Sequence, residues 1–211
     1  MKSALIVVDM QYDFLPKGAL GIAGADALLA PINRLIKLPF DVRVVTQDWH
    51  PKNHCSFAST WNKKPGECIL LDTEIQRLWP DHCIQDSPGA LLVTELDVAG
   101  VDFVVHKGTD PQLDSYSTFF DNRHQRSTGL ESYLKQNKIQ ELYFAGLATD
   151  YCVLYSVLDA IDLGFTVFVV LEACQGIDLE AGDVKRALDT MRAKGVVFLS
   201  VEEVEKRLFS E

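Results

Sequence analysis

Hydrophobic positions in this chain fall into two alternating kinds of run. Short continuous runs of β-branched and aliphatic residues occupy 3–9, 41–46, 102–106, 141–145, 165–171 and 196–200. Between most of them lie stretches with apolar residues three and four apart, at 26–36, 129–136, 149–163, 181–193 and, at the end, 202–208. A continuous apolar run implies a strand buried on both faces; the spaced pattern implies a helix with one buried face. Their alternation predicts βαβ units and an α/β class: a doubly wound, mainly parallel six-stranded sheet with helices on both faces.

Residues 47–101 break the pattern. Their first two-thirds are rich in Pro, Asn, His and Trp and show little periodicity. Loops this long inside a compact domain are usually functional. No internal repeat, low-complexity tract or linker divides the chain, so 1–211 reads as one domain. Open α/β sheets bind ligands at the carboxyl ends of their strands, and the order 3-2-1-4-5-6 places a switch point between the first and fourth. Chemistry is therefore sought just after strands.

Charge narrows the function classes. With 20 Lys plus Arg against 30 Asp plus Glu, the formal net charge is −10, which argues against a broad nucleic-acid or anionic-membrane surface. No apolar run approaches the ~18 residues of a membrane-spanning helix. Five apolar residues before Asp9 fall short of the about 7–15 of a secretory signal. The five cysteines are scattered and none pair as CxxC; free thiols in a reducing cytoplasm are the expectation.

Three residues pass the strand-end test. Asp9 ends the first strand, where it is either a loop cap or a desolvated base. Lys107 ends the third; His106, of opposite parity, then points away and is structural. Cys152 lies in Gly146-Leu147-Ala148-Thr149-Asp150-Tyr151-Cys152, after the fourth strand and in the first turn of the strongest helix. Such a thiol is a small buried hydrophobe or a thiolate favoured by the helix N-terminus. As a group the three make chemical sense: the acid takes the thiol proton, the ammonium stabilises the thiolate, and the thiolate attacks a carbonyl.

A second group follows the second strand. Asp48 and His50 share one side of an extended chain, and His82 lies in Trp79-Pro80-Asp81-His82-Cys83. Two His and a carboxylate suit one divalent metal ion, zinc first, with iron and manganese as alternatives, and leave positions open. His54 is a further ligand, a donor to one, or loop packing. His124 is expected in solvent. Trp49, Trp61 and Trp79, with Phe14 and Tyr116, are candidates to wall a flat aromatic pocket, although ordinary packing suits Trp61.

The chain resembles the bacterial nicotinamidases (pyrazinamidases) of the isochorismatase-like cysteine hydrolase superfamily. The resemblance rests on Val7-Val8-Asp9-Met10-Gln11-Tyr12-Asp13-Phe14, on Gln47 through Phe57, on Trp79 through Cys83, on Lys107-Gly108 with Asp114-Ser115-Tyr116-Ser117, and on Gly146 through Cys152. It departs at Tyr12, where Asn is commoner, and at Cys55, where a small residue is expected. The resemblance implies a catalytic Asp9–Lys107–Cys152 triad, metal ligands Asp48, His50 and His82, and an aromatic sandwich of Phe14 and Trp79. It also implies a cis peptide before Ala148, with an oxyanion hole from the Ala148 and Cys152 N–H groups. The implied activity is hydrolysis of nicotinamide, and of pyrazinamide, in NAD salvage. The partner is then that small molecule rather than nucleic acid or membrane, in the cytoplasm; a homo-oligomer is compatible.

The alternatives are a metal-independent carbamoyl or ureido amidohydrolase of the same superfamily and a non-catalytic phospho-receiver-like domain. The first has no use for Asp48, His50 and His82. The second needs an adjacent acid pair where this chain has Asp9-Met10. A dinucleotide-binding oxidoreductase is weaker still, because no GxGxxG follows the first strand.

Overall fold

The computed structural model describes residues 1–72 and 74–210. Thr73, in the 47–101 stretch, and Glu211 lie outside the described residues. Six strands form one sheet: β1 (Ser3–Val8), β2 (Val42–Asp48), β5 (Phe103–Lys107), β6 (Glu141–Leu147), β7 (Thr166–Gln175) and β8 (Val197–Leu199). Their order is β5-β2-β1-β6-β7-β8, which is 3-2-1-4-5-6 among the six. Every neighbouring pair in this sheet is parallel, so the expected mainly parallel sheet is wholly so.

All six residues of β1 are buried, as its unbroken apolar run requires. Alternate side chains feed two cores. Leu5 and Val7 pack with Ile32, Leu35 and Ile36 of α1 (Leu29–Ile36) and with Val201 and Val204 of α5 (Val201–Phe209). Ala4, Ile6 and Val8 face the opposite core. That core is closed by α2 (Leu130–Gln136), α3 (Leu154–Asp162) and α4 (Asp183–Ala193). None of the described helices is long and apolar enough to cross a membrane.

Three local features differ from expectation. The 47–101 stretch contains an antiparallel hairpin, β3 (Cys68–Leu71) with β4 (Glu74–Arg77). The helix expected at 149–163 begins as a π-helical turn, Thr149–Val153, before α3. The helix expected at 26–36 begins as a 3-10 turn at Ala25–Leu28. At the centre of the sheet, Gly146 has φ 112°, and a Cβ there would lie 2.1 Å from Val8 O. Only glycine lets β6 approach β1 this closely just before the π turn.

Candidate active site

Three strand ends and the π turn converge on one cleft. Asp9 follows β1 with φ 52°, a left-handed conformation that Asp tolerates better than most residues. This bend turns its side chain off the strand line. Thr46 holds it there: the Asp9 N–H donates to Thr46 Oγ1 (3.2 Å), whose own O–H donates to Asp9 Oδ1 (2.5 Å).

Lys107 is buried, and its ammonium, which also donates to Ser115 O at 3.5 Å, meets three side chains. Asp9 Oδ2 lies at 2.8 Å, Cys152 Sγ at 3.2 Å, and Asp48 Oδ1 in a short hydrogen-bonded ion pair. Apart from this ion pair, Oδ2 has no hydrogen-bond partner. An oxygen of Asp9, an oxygen of Asp48 and Cys152 Sγ lie within 4.8 Å of one another. An unshared lone pair of a buried carboxylate thus sits beside the thiol.

Burial raises the Asp9 pKa despite the opposing pull of Lys107. Burial also pushes the Cys152 thiol well up, and Lys107 only partly opposes it. Burial disfavours the Lys107 cation as well, but the carboxylates of Asp48 and Asp9 outweigh it and hold the group charged. Desolvation therefore favours the neutral thiol over the thiolate that a helix N-terminus favours, and Asp9 stands where the base that takes its proton is expected.

The second donor set is preorganised. His50 Nδ1–H donates to Gly108 O (2.9 Å) and His82 Nδ1–H to Pro80 O (2.7 Å). Both assignments follow from the partners, since a carbonyl can only accept. Each ring then presents its Nε2 lone pair toward Asp48 Oδ2, at 3.6 Å and 3.7 Å. These distances exceed a hydrogen bond and approach those of ligands sharing one ion with bonds of about 2.0–2.2 Å. Imidazoles pinned through the other ring nitrogen are the usual support of a metal site, so the residues fit a divalent cation. Burial opposes ionisation of Asp48, but the Lys107 ammonium beside it holds its carboxyl well below the usual range.

His54 stands beside this set rather than in it. It stacks on His50 at 4.2 Å. Its Nε2–H donates to Leu113 O (3.2 Å) and its Nδ1 accepts from Ser56 Oγ (2.7 Å). Both nitrogens are engaged, and burial lowers its pKa to about 4.

Phe14, Trp79 and Tyr116 line the same cleft as Asp9, Ala148 and Cys152. Trp79 Nε1–H donates to Tyr116 Oη at 3.1 Å, and Phe14 packs 5.6 Å from the His82 ring. The other two tryptophans lie elsewhere. Trp49 stacks on His106 at 4.6 Å, which confirms that His106 points away, and Trp61 is 40% exposed. Tyr12 bonds Thr94 (2.9 Å) and does not line the cleft. His124 is exposed, as expected, but also reaches Asp159 at 3.2 Å. The Leu147–Ala148 peptide is cis. Of the cysteines, only Cys152 meets the cluster; burial pushes Cys55 and Cys174 up to about 12.

Sequence reasoning missed Leu20, Asp114, Tyr151 and Ile177, which complete the cleft wall. It also missed Asp150, whose carboxylate accepts from the N–H groups of Ile177 (2.9 Å) and Asp178 (2.8 Å) and ties the loop after β7 to the π turn. Asp114 and Asp150 stand inside the quoted motifs, and that adjacency was the available signal.

The isochorismatase domain model matches residues 3–203. The nicotinamidase of Escherichia coli is 41% identical over 206 residues, covering 96% of this chain and 97% of that protein. A solved nicotinamidase/pyrazinamidase of Acinetobacter baumanii superposes with a TM-score of 0.92 at 43% identity, covering 96% and 98% of the two chains. A pyrazinamidase of Pyrococcus horikoshii, solved in complex with zinc, gives a TM-score of 0.77 at 34% identity over 95% and 99%.

Proposed function

The chain belongs to the isochorismatase family, and we propose that it is an amidohydrolase cleaving nicotinamide to nicotinate and ammonia through a thioester on Cys152. The observation that carries this reading is one cleft in which the Asp9–Lys107–Cys152 cluster adjoins the Asp48, His50 and His82 donors between aromatic walls. The similarity to nicotinamidases supports it. Residues 1–211 act as one hydrolase domain, with the metal-binding loop region at about 47–101.

Burial favours the neutral Cys152 thiol, so attack begins with proton transfer. Asp9 takes the Cys152 proton, and Lys107 balances the negative charge that passes between them. Sulfur bonds to the carboxamide carbon as the carbonyl π electrons move to oxygen. The Ala148 and Cys152 N–H groups receive this oxyanion; losing one such donor typically costs about 10²–10³ in rate. Asp9 returns the proton to nitrogen, the C–N bond breaks, and ammonia leaves a thioester. Asp9 then takes a proton from water, whose oxygen attacks the same carbon; the C–S bond breaks, nicotinate leaves, and Asp9 returns its proton to the sulfur to regenerate the thiol.

Phe14, Trp79 and Tyr116 hold the flat ring. Asp48, His50 and His82 would hold one divalent ion, zinc first, with an open position. Bound there, the ion supplies a Lewis-acid contact for a ring nitrogen or a water. This donor set, with both imidazoles already anchored, speaks against the metal-independent carbamoyl or ureido amidohydrolase. A cytoplasmic role in NAD salvage, with no nucleic acid or membrane partner, fits the acidic chain. The deciding experiment is ammonia release from nicotinamide by the purified protein, with metal content determined on the same sample. No release from nicotinamide by the metal-loaded protein would overturn the substrate assignment.

A further inference from the structure

Gln11 stands two residues after Asp9, and no step above uses it. We propose that Gln11 is a positioning residue: its side-chain amide replaces the strand edge that β1 gives up when Asp9 turns into the cleft, and so fixes Asp48. β1 and β2 pair in register through Val7 and Val45. Continued in that register, β1 would bring residue 10 beside Asp48. The φ of 52° at Asp9 ends the strand first. On the other side Asp48 is still paired, with Lys107 of β5.

The N–H and C=O of one strand residue point to the same side. At Asp48 both point to Gln11. Gln11 Oε1 accepts from the Asp48 N–H, and Gln11 Nε2–H donates to Asp48 O, each at 2.8 Å. One side-chain amide therefore makes the two bonds a neighbouring strand would have made. Gln11 is fully buried, so water cannot substitute for it. Its second N–H donates to Ala90 O at 2.8 Å, a carbonyl that also accepts from Gln47 Nε2.

Ala90 closes the 3-10 turn Pro88–Ala90. Gly89 in that turn packs against the Asp13 carboxylate, which accepts the Cys83 N–H at 2.7 Å. Cys83 follows His82. One amide thus braces Asp48 directly and the His82 loop through its neighbours. The side chain of Asp48 splits between Lys107 and the two imidazoles, so a shift of its backbone disturbs both.

The metal part of this proposal rests on the reading given under the proposed function. The test compares wild type with Gln11→Leu, which removes the amide, and Gln11→Asn, which keeps it but shortens its reach. Zn²⁺ affinity is measured by chelator competition, and hydrogen exchange at the Asp48 amide is measured on metal-free protein. Both variants should bind Zn²⁺ about 10–100-fold more weakly, the usual cost of losing support for a ligand. The Asp48 amide should exchange about tenfold faster or more, with the Val44 amide unchanged.

Zn²⁺ affinity within twofold of wild type, or unchanged Asp48 exchange with only a lower melting temperature, would reduce Gln11 to packing and overturn the proposal. If Gln11→Leu fails to fold, Gln11→Asn decides. If wild type itself binds no Zn²⁺, the metal reading falls, and the exchange measurement alone still judges Gln11.

Discussion

Gly108→Ala should empty the metal site without touching a ligand. Gly108 has φ 63°, and its carbonyl accepts the His50 Nδ1–H. A Cβ there would lie 2.3 Å from His50 Cε1 and 2.5 Å from Nδ1. Ordinary contact begins near 3.4 Å, so the ring must retreat by about 1 Å. Metal–ligand distances tolerate only about 0.2 Å, and the Gly108 hydrogen bond that aims Nε2 would be lost as well. The expected loss of Zn²⁺ affinity is at least about 10–100-fold, or about 1.4–2.8 kcal/mol. The left-handed backbone adds about 1–2 kcal/mol of fold destabilisation, a drop in Tm of about 2–8 °C for a chain of this size. Gly24→Ala is the control: its φ is 78°, yet nothing lies within 4 Å of the added Cβ. It should lose stability to a similar degree and keep Zn²⁺. Chelator competition and thermal melts on both variants decide. Wild-type Zn²⁺ affinity in Gly108→Ala would refute both the steric reasoning and His50 as a ligand.

Cys152→Ala should abolish turnover, while Cys55→Ala and Cys174→Ala keep it; a nicotinoyl adduct located on any other thiol by mass spectrometry would contradict this. Benzamide fits the slot but offers no ring nitrogen, so it should be a far poorer substrate than nicotinamide or pyrazinamide, because a site built around a polar contact rejects analogues lacking it. Comparable kcat/KM values would remove the ion from recognition and leave the Cys152 chemistry standing. His54 has a folded pKa of about 4 against 6.5 unfolded. Between these values the unfolded chain binds more protons, so stability falls as pH drops from 6.5 through 4, by up to about 3 kcal/mol from this group. Urea melts at pH 7 and pH 4.5 should therefore differ less in His54→Gln than in wild type, and an equal difference would show that another group carries the acid sensitivity.

The sheet was legible because its signal is redundant. In β1 and β6 a near-continuous apolar run, burial on both faces and a strand-end motif coincide. The hairpin β3–β4 was not. Leu70 and Ile75, opposite one another, are exposed at 72% and 78%, so no buried face imposed a period. The π turn was hidden because Thr149–Val153 continues the same apolar spacing as α3. Within the site, Asp9, Lys107, Cys152, Asp48, His50 and His82 could be named from chemistry and position. Gln11 could not, since its work is to complete a backbone edge that only the bend at Asp9 leaves open. The desolvation that favours the neutral Cys152 thiol was not legible, because it depends on what packs around a group, and spacing carries no such information.

The bond between β1 and β6 has a further consequence. Asp9, Asp48 and Lys107 come from the part of the chain before α2, and Cys152 comes from the part after it. The two parts meet along the Ser3–Val8 and Glu141–Gly146 edge, six residue pairs long. Each part alone has half of a reaction and none of its product. The nucleophile gains its base only by docking, so chemistry here is a report on the integrity of that seam. Two separately expressed segments divided at the turn near Lys138 would regain turnover only to the extent that the edge re-forms, which makes the centre of the sheet a natural place to read reassembly of the whole.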